Sequence, residues 1–272
     1  MKPDYKNWMP KGMIYTALSI TALFLVLFIV FGLTEIVSGV LKTVLFIIFL
    51  IGTAAGVCIT VWMALVYRAF DYNGKRKMSK QIIDGIAAYI DVPDGSKCLD
   101  VGCGSGALTI ACAKRNPKAS FIGVDRWGKE YASFNQPLCE RNAKAEGAKN
   151  TSFQRGDATK LDFADETFDA VCSNYVYHNI PGDRQAYLLE TLRTLKKGGT
   201  FAIHDIFSKT KYGDMQAFLK KLREMGYEKA ELIDTTDGKL MSKSESVWMG
   251  LYRTSLIIQE SRSRFQAAVY LF

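Results

Sequence analysis

Histidine is nearly missing from this chain, with only His178 and His204 among 272 residues. The six cysteines (Cys58, Cys98, Cys103, Cys112, Cys139, Cys172) form no C-x-x-C pair, and no nearby histidine completes a ligand set. That spacing argues against a zinc site and against a disulfide scaffold, and it leaves reduced thiols as the reading, with no metal expected. Arginine-rich clusters interleaved with aromatics are lacking too, so a formal charge of +8 does not point to nucleic acid. Charge itself is scarce in one stretch: residues 13–66 carry only Glu35 and Lys42.

That uncharged stretch contains two apolar runs, 13–33 and 43–66. At about 1.5 Å per helical residue, each is long enough for a hydrocarbon layer of roughly 30 Å. Neither run has a polar face, which counts against two core helices of a soluble protein. The first lacks the small-residue cleavage site of a signal peptide. The expectation is a transmembrane hairpin over 13–66, with the lipid bilayer as partner. A cytoplasmic N-terminus (1–12) would precede it and a polar linker (67–80) would follow. Lys2, Lys6 and Lys11 lie before the first run, and Arg68, Lys75, Arg76, Lys77 and Lys80 after the second, while the connection 34–42 balances one cation against one anion. The positive-inside tendency then places both ends in the cytoplasm, and lysines beside a membrane segment account for the basic excess. Trp8, Trp62, Tyr67 and Tyr72 are candidate interfacial anchors. Gly52 and Gly56 form a small-x-x-x-small pair that suits close helix approach or pairing with another copy.

The rest of the chain, 81–259, reads as one α/β domain. Its centre is Leu99-Asp-Val-Gly-Cys-Gly-Ser-Gly106, a short apolar strand running into a glycine turn and then a helix pattern. Glycines at 102, 104 and 106 let the backbone turn sharply and approach a ligand, and the helix offers it an N-terminus. Taken alone the turn also satisfies the dinucleotide-binding G-x-G-x-x-G/A pattern through Ala107, so a nucleotide-dependent oxidoreductase remains an alternative. Asp100 lies two residues before the first glycine, where a carboxylate suits a ligand amine better than a pyrophosphate. Asp125 closes the next strand (120–125), in position for two ribose hydroxyls. A third strand (151–155) runs into Gly156-Asp157-Ala158, and a fourth (168–173) ends at Asn174. Strand ends spaced this way collect polar groups on the carboxyl edge of one parallel sheet, where open α/β sheets bind ligands.

These residues resemble the class I, seven-stranded S-adenosylmethionine-dependent methyltransferases, over roughly 80–258. Leu195-Lys-Lys-Gly-Gly-Thr200 matches the family's usual entry to its fifth strand. The resemblance implies a seven-stranded Rossmann-like sheet with helices on both faces and an antiparallel last strand, preceded here by the hairpin. It implies S-adenosylmethionine as cofactor. Asp100, Gly102, Cys103, Gly104 and Gly106 would lie around its methionine end together with Asn174. Asp125 and Arg126 would lie at its ribose, and Asp157 and Ala158 at its adenine. Trp127 is a candidate to cover the adenine ring, with core packing as its alternative.

Helices are expected at 80–90, at 128–146 (buried through Tyr131, Phe134, Leu138 and Ala145), at 184–195 and at 214–225. Further strands are expected at 199–207, 227–234 and 251–259. Residues 260–272 form a tail without a functional reading.

Methyl transfer is an in-line displacement, so the protein must align the acceptor and, for some acceptors, take up a proton. Asn174-Tyr-Val-Tyr-His-Asn-Ile-Pro181 follows the fourth strand. His178 is the candidate general base, with Tyr175 and Tyr177 shaping an acceptor pocket. Asp205 would hold a cationic amine or orient a base, or form a buried pair with His204. A membrane anchor favours a hydrophobic small-molecule or lipid acceptor. A soluble thiol or amine, or a scaffold that binds cofactor without catalysis, are the alternatives. The sequence sets no oligomeric state.

Overall fold

The computed structural model describes residues 2–128, 133–227, 229–251 and 253–259. Tyr131 and the tail 260–272 lie outside these. The chain divides into two compact units, one of residues 7–79 and one combining the segment up to Lys6 with everything from Lys80 onward.

The first unit is a helical hairpin. Helix α1 (Lys11–Leu27) begins directly after Pro10 and continues as a π-helical turn, Phe28–Leu33; α2 spans Gly39–Phe70. Both reach beyond the uncharged runs, because lysine and arginine propagate a helix as well as leucine does, so a charge boundary is not a helix boundary. Gly52 faces Phe24, whose ring a Cβ would strike, and a Cβ at Gly56 would lie 2.6 Å from Thr21 Oγ1. The small-x-x-x-small pair is therefore used inside the hairpin. Thr21 Oγ1 lies 3.2 Å from Thr60 Oγ1, and the rings of Phe28 and Phe46 pack at 5.2 Å. Away from these seams the side chains are large and apolar: Leu23, Ile51 and Leu65 are 56%, 62% and 50% exposed. By length and composition both helices are sufficient to cross a membrane.

The second unit is a seven-stranded sheet in the order β3-β2-β1-β4-β5-β7-β6. The strands are β1 Lys97–Val101, β2 Ser120–Asp125, β3 Thr151–Arg155, β4 Phe168–Asn174, β5 Leu195–Ile206, β6 Glu231–Asp234 and β7 Thr254–Gln259. β1 to β5 are parallel, while β7 runs antiparallel between β5 and β6. The central strands are covered on both faces and read as continuous apolar runs, as parallel strands do. Leu99, Val171, Phe201 and Ile257 have no more than 1% of their surface exposed.

α3 (Met78–Ala87) precedes β1, and between strands come α4 (Ala107–Arg115), α5 (Gln136–Glu146), α6 (Arg184–Arg193), α7 (Lys209–Tyr212), α8 (Met215–Glu224) and α9 (Lys243–Trp248). α5 starts later than the expected residue 128. Asn135 caps it by accepting from Leu138 N–H, and Pro137 occupies its first turn. An Asn cap followed by Pro is itself a start signal. The buried face of α5 is Leu138, Cys139, Asn142 and Ala143. α7 and α9 were not expected. α9 opens on a capping box, Ser242 with Glu245, which is readable in sequence but easily missed before a helix of six residues.

Candidate active site

The carboxyl ends of β1, β2, β3, β4 and β5 carry the sequence-derived candidates. At the end of β1, Gly102, Gly104 and Gly106 adopt φ values of 74°, 54° and 81°, in the left-handed region where glycine alone is unstrained. A Cβ on Gly102 would also collide with Val176, whereas the space beside Gly104 is open apart from Phe134 at 3.7 Å. The N–H groups of Gly102 and Cys103 both donate to Val124 O (2.8 and 3.0 Å), which ties the turn to β2. Cys103 is buried, and burial pushes its thiol well above the ordinary range.

Asp125 is half-buried at the end of β2 and receives Gly104 N–H on Oδ2 (2.9 Å) and Trp127 N–H on Oδ1 (2.7 Å). Each carboxylate oxygen accepts two hydrogen bonds, so acceptor capacity remains for a ligand diol. Trp127 folds back and donates Nε1–H to Gly104 O at 2.9 Å, with φ of 46°. Its ring nitrogen thus closes the turn. Arg126 is exposed beside it.

Asp157, at the exposed start of the turn after β3, accepts the N–H and hydroxyl of Thr159 (2.8 and 2.7 Å). These donors hold its carboxyl below the usual range. Ala158 is half-buried against the core.

Asp100 is 1% exposed under the turn and accepts from Thr109 Oγ1 at 2.6 Å. Burial pushes its carboxyl up to about 7, with Thr109 opposing the shift and nearby Asp125 adding to it. A buried acid beside a second carboxylate is an environment that a cation would relieve.

Beyond β4 the candidates assemble through register, because Asn174 pairs with His204 across β4 and β5. His204 is fully buried, with Nδ1 2.8 Å from Asn174 Oδ1 and Nε2 3.1 Å from Thr235 Oγ1. Burial lowers its pKa to about 3, so at neutral pH the ring is uncharged and serves to hold Asn174. His178 and Asp205 form a pair, Nδ1 to Oδ1, at 2.5 Å. Asp205 Oδ2 also accepts the N–H groups of Tyr177 and His178 (2.9 and 3.2 Å), and Oδ1 accepts Ile206 N–H (2.7 Å). Burial works against the charged form of Asp205, but the His178 ring and these donors bring its pKa below the ordinary value. A carboxylate only accepts, so the proton of this bond sits on Nδ1, and Nε2 is the ring nitrogen outside the pair.

Two expectations need correcting here. Asp205 is completely buried and each of its oxygens already accepts two hydrogen bonds from His178, Tyr177 and Ile206, so it orients the His178 ring and has no acceptor capacity left for a ligand amine. Tyr177 is not a wall of an acceptor pocket. The 3-10 turn Tyr177–Asn179 turns its ring inward, where it has no exposed surface and its hydroxyl lies 2.6 Å from Thr191 Oγ1.

Tyr175 does sit at the edge, half-buried, with its ring packed on His204 at 4.9 Å and edge-on to His178 at 5.9 Å. Its φ is 56°. Two non-glycine residues in the left-handed region, Trp127 and Tyr175, thus follow β2 and β4 at the ligand edge. Such strain collects at functional sites and has no sequence signal unless the residue is glycine. Among the described residues, no cluster of three histidine, cysteine or acidic side chains is arranged to hold a metal.

The glycine cradle, the spare acceptor capacity of Asp125 and the cation-seeking Asp100 fit S-adenosylmethionine. The sequence model of the methyltransferase domain matches residues 93–254, more than half of the chain. A demethylmenaquinone methyltransferase of Geobacillus stearothermophilus is 30% identical over 163 residues, 59% of this chain and 64% of that protein. An arsenite methyltransferase of Aquipseudomonas alcaligenes is 34% identical over 125 residues, 44% of this chain and 36% of that protein. The chain thus spans less than two thirds of the length of each of these relatives. The solved structure of a geranyl diphosphate methyltransferase, in complex with GPP and sinefungin, superimposes with a TM-score of 0.51 at 16% identity. It covers 71% of this chain and 81% of that one, a likeness of fold alone. With its family model matched over the glycine turn and strands β1 to β6, the chain belongs to the class I S-adenosylmethionine-dependent methyltransferases.

Proposed function

We propose that this protein is a membrane-anchored methyltransferase that methylates a hydrophobic small molecule or lipid. The observation that carries the reading is the outward face of the hairpin. Leu23, Ile51, Leu65 and their neighbours stay exposed along two helices of membrane-crossing length, an arrangement that water penalises and hydrocarbon does not. Only residues 71–77 separate α2 from α3, so the domain remains close to the bilayer and to solutes dissolved in it. The flanking lysines and arginines favour a cytoplasmic domain with both termini on the same side. A relative that by name acts on demethylmenaquinone supports an acceptor of this hydrophobic class.

Bound S-adenosylmethionine supplies an electrophilic methyl group on a sulfonium. The glycine turn, Asp125 with Arg126 and Trp127, Asp157 with Ala158, and Asn174 would hold the cofactor. Asp100 would stabilise its cationic end. His178 is the candidate general base. Asp205 is its positioning residue, since it fixes the Nδ1–H tautomer and leaves Nε2 to take a proton from a hydroxyl or amine acceptor.

The test is incubation of full-length protein in lipid nanodiscs with methyl-labelled S-adenosylmethionine and a total lipid extract. Label entering the organic phase is expected. Label transferred only to water-soluble compounds would overturn the acceptor class, and cofactor binding without transfer to any acceptor would favour a scaffold.

A further inference from the structure

The glycine turn is held from behind by α5. Cys139 donates its thiol to Gly104 O at 3.2 Å, and one turn later Asn142 donates Nδ2 to Ser105 O at 3.0 Å. With these carbonyls engaged on the α5 side, the geometry of the turn depends on where the Asn142 carboxamide points. That carboxamide is 1% exposed and is clamped by a segment 138 residues away in sequence. Asn142 Oδ1 accepts Asp4 N–H at 2.7 Å and Nδ2 donates to Asp4 O at 3.0 Å, a two-way pairing like one rung of a sheet. The neighbouring Tyr5 is 3% exposed, so the segment is packed and not merely draped. Both amide hydrogens and the amide oxygen of Asn142 are then used, which fixes its orientation without a flip. Remove Asp4 and the buried Asn142 loses two of these three hydrogen bonds, a loss that a buried polar group does not absorb without moving.

We propose that residues 2–6 are a strap that sets cofactor affinity, with Asn142 as the positioning residue that transmits their docking to the Gly104–Ser105–Gly106 backbone. The proposal rests on the glycine turn being the cofactor site. The chain before the first apolar helix thereby acts as part of the methyltransferase domain as well as a flank of the hairpin.

The test uses full-length protein in nanodiscs, titrated with S-adenosylhomocysteine by calorimetry. Asp4→Pro removes the N–H that Asn142 accepts, and Asn142→Ala removes the whole clamp. The dissociation constant is expected to rise about fivefold for Asp4→Pro, on the order of one lost hydrogen bond, and about tenfold or more for Asn142→Ala. The acceptor KM at saturating cofactor is expected to stay unchanged. Amide hydrogen exchange in residues 103–107 is expected to accelerate in Asp4→Pro, which speaks even if Asn142→Ala fails to fold. Asp125→Ala separates the two layers of the argument. If it weakens binding while Asp4→Pro leaves both affinity and exchange as in the wild type, the strap is wrong and the cofactor site stands. If Asp125→Ala has no effect, the placement of the cofactor falls and the strap falls with it.

Discussion

Ile51 in α2 is 62% exposed and Ile257 in β7 is 1% exposed, yet both are isoleucines in regular structure. The hairpin turns its large apolar side chains outward and keeps glycine and threonine at its seam. The α/β unit does the reverse, with Leu99, Phe201 and Ile257 inside and lysine, arginine and glutamate outside. The difference teaches that residue type alone does not decide what is buried. The solvent does, and on the proposed reading the hairpin meets one unlike water.

The contrast is broken most severely from the domain side. Phe201→Ala should destabilise the α/β unit by about 3–5 kcal/mol, because the ring is enclosed in a packed core that does not collapse around the void. Loss of the cooperative thermal transition at growth temperature would register it. Outward-facing Ile51→Ala should leave that transition in place.

Ile51→Lys sharpens the same contrast from the hairpin side. A lysine at the centre of a membrane helix costs roughly 2.5–3.5 kcal/mol on insertion scales, whereas at an exposed site in water it costs at most about 0.5 kcal/mol. The inserted fraction, measured by resistance to carbonate extraction, should fall sharply. Unchanged extraction would mean that the outward face of α2 meets something other than lipid.

Asp125→Ala probes the one unit that should bind cofactor. Hydrogen bonds to a charged acceptor are worth about 1.5–3 kcal/mol each, so the dissociation constant for S-adenosylhomocysteine should rise at least tenfold. The hairpin is not expected to respond.

The sequence made the sheet and the glycine turn legible because both have local causes. Apolar runs of five or six residues end at polar groups, and positive φ at 102, 104 and 106 demands glycine. The hairpin was legible for the same kind of reason, an absence of charge over 54 residues apart from Glu35 and Lys42. What was not legible is long-range pairing. His178 meets Asp205 because β4 and β5 align Asn174 with His204, a register that no local pattern announces. Tyr177 looked like Tyr175, but a single 3-10 turn sent one ring into the core and left the other at the edge. Asp4 and Asn142 meet across the whole length of the hairpin segment.

The smallest effect concerns Asp100 and depends on pH. Its folded-state pKa is raised to about 7 from 3.8, so between these values the folded protein binds a proton that the unfolded chain has released. On this group's account the ligand-free fold loses stability as pH climbs from about 4 to about 7, and the effect is flat above that. A cationic ligand reverses the preference, because it binds better to the ionised carboxylate. The dissociation constant of S-adenosylmethionine should therefore fall about tenfold from pH 6 to pH 8, as Asp100 goes from mostly protonated to mostly charged. Binding at pH 6 should release close to one proton, read by calorimetry in buffers of different ionisation enthalpy. Asp100→Asn keeps the shape, removes the titration and should flatten the profile at the weaker, low-pH affinity. A wild-type profile that is already flat would mean that the buried carboxyl faces the Thr109 side of the turn only, and that the cationic end of the cofactor is stabilised elsewhere.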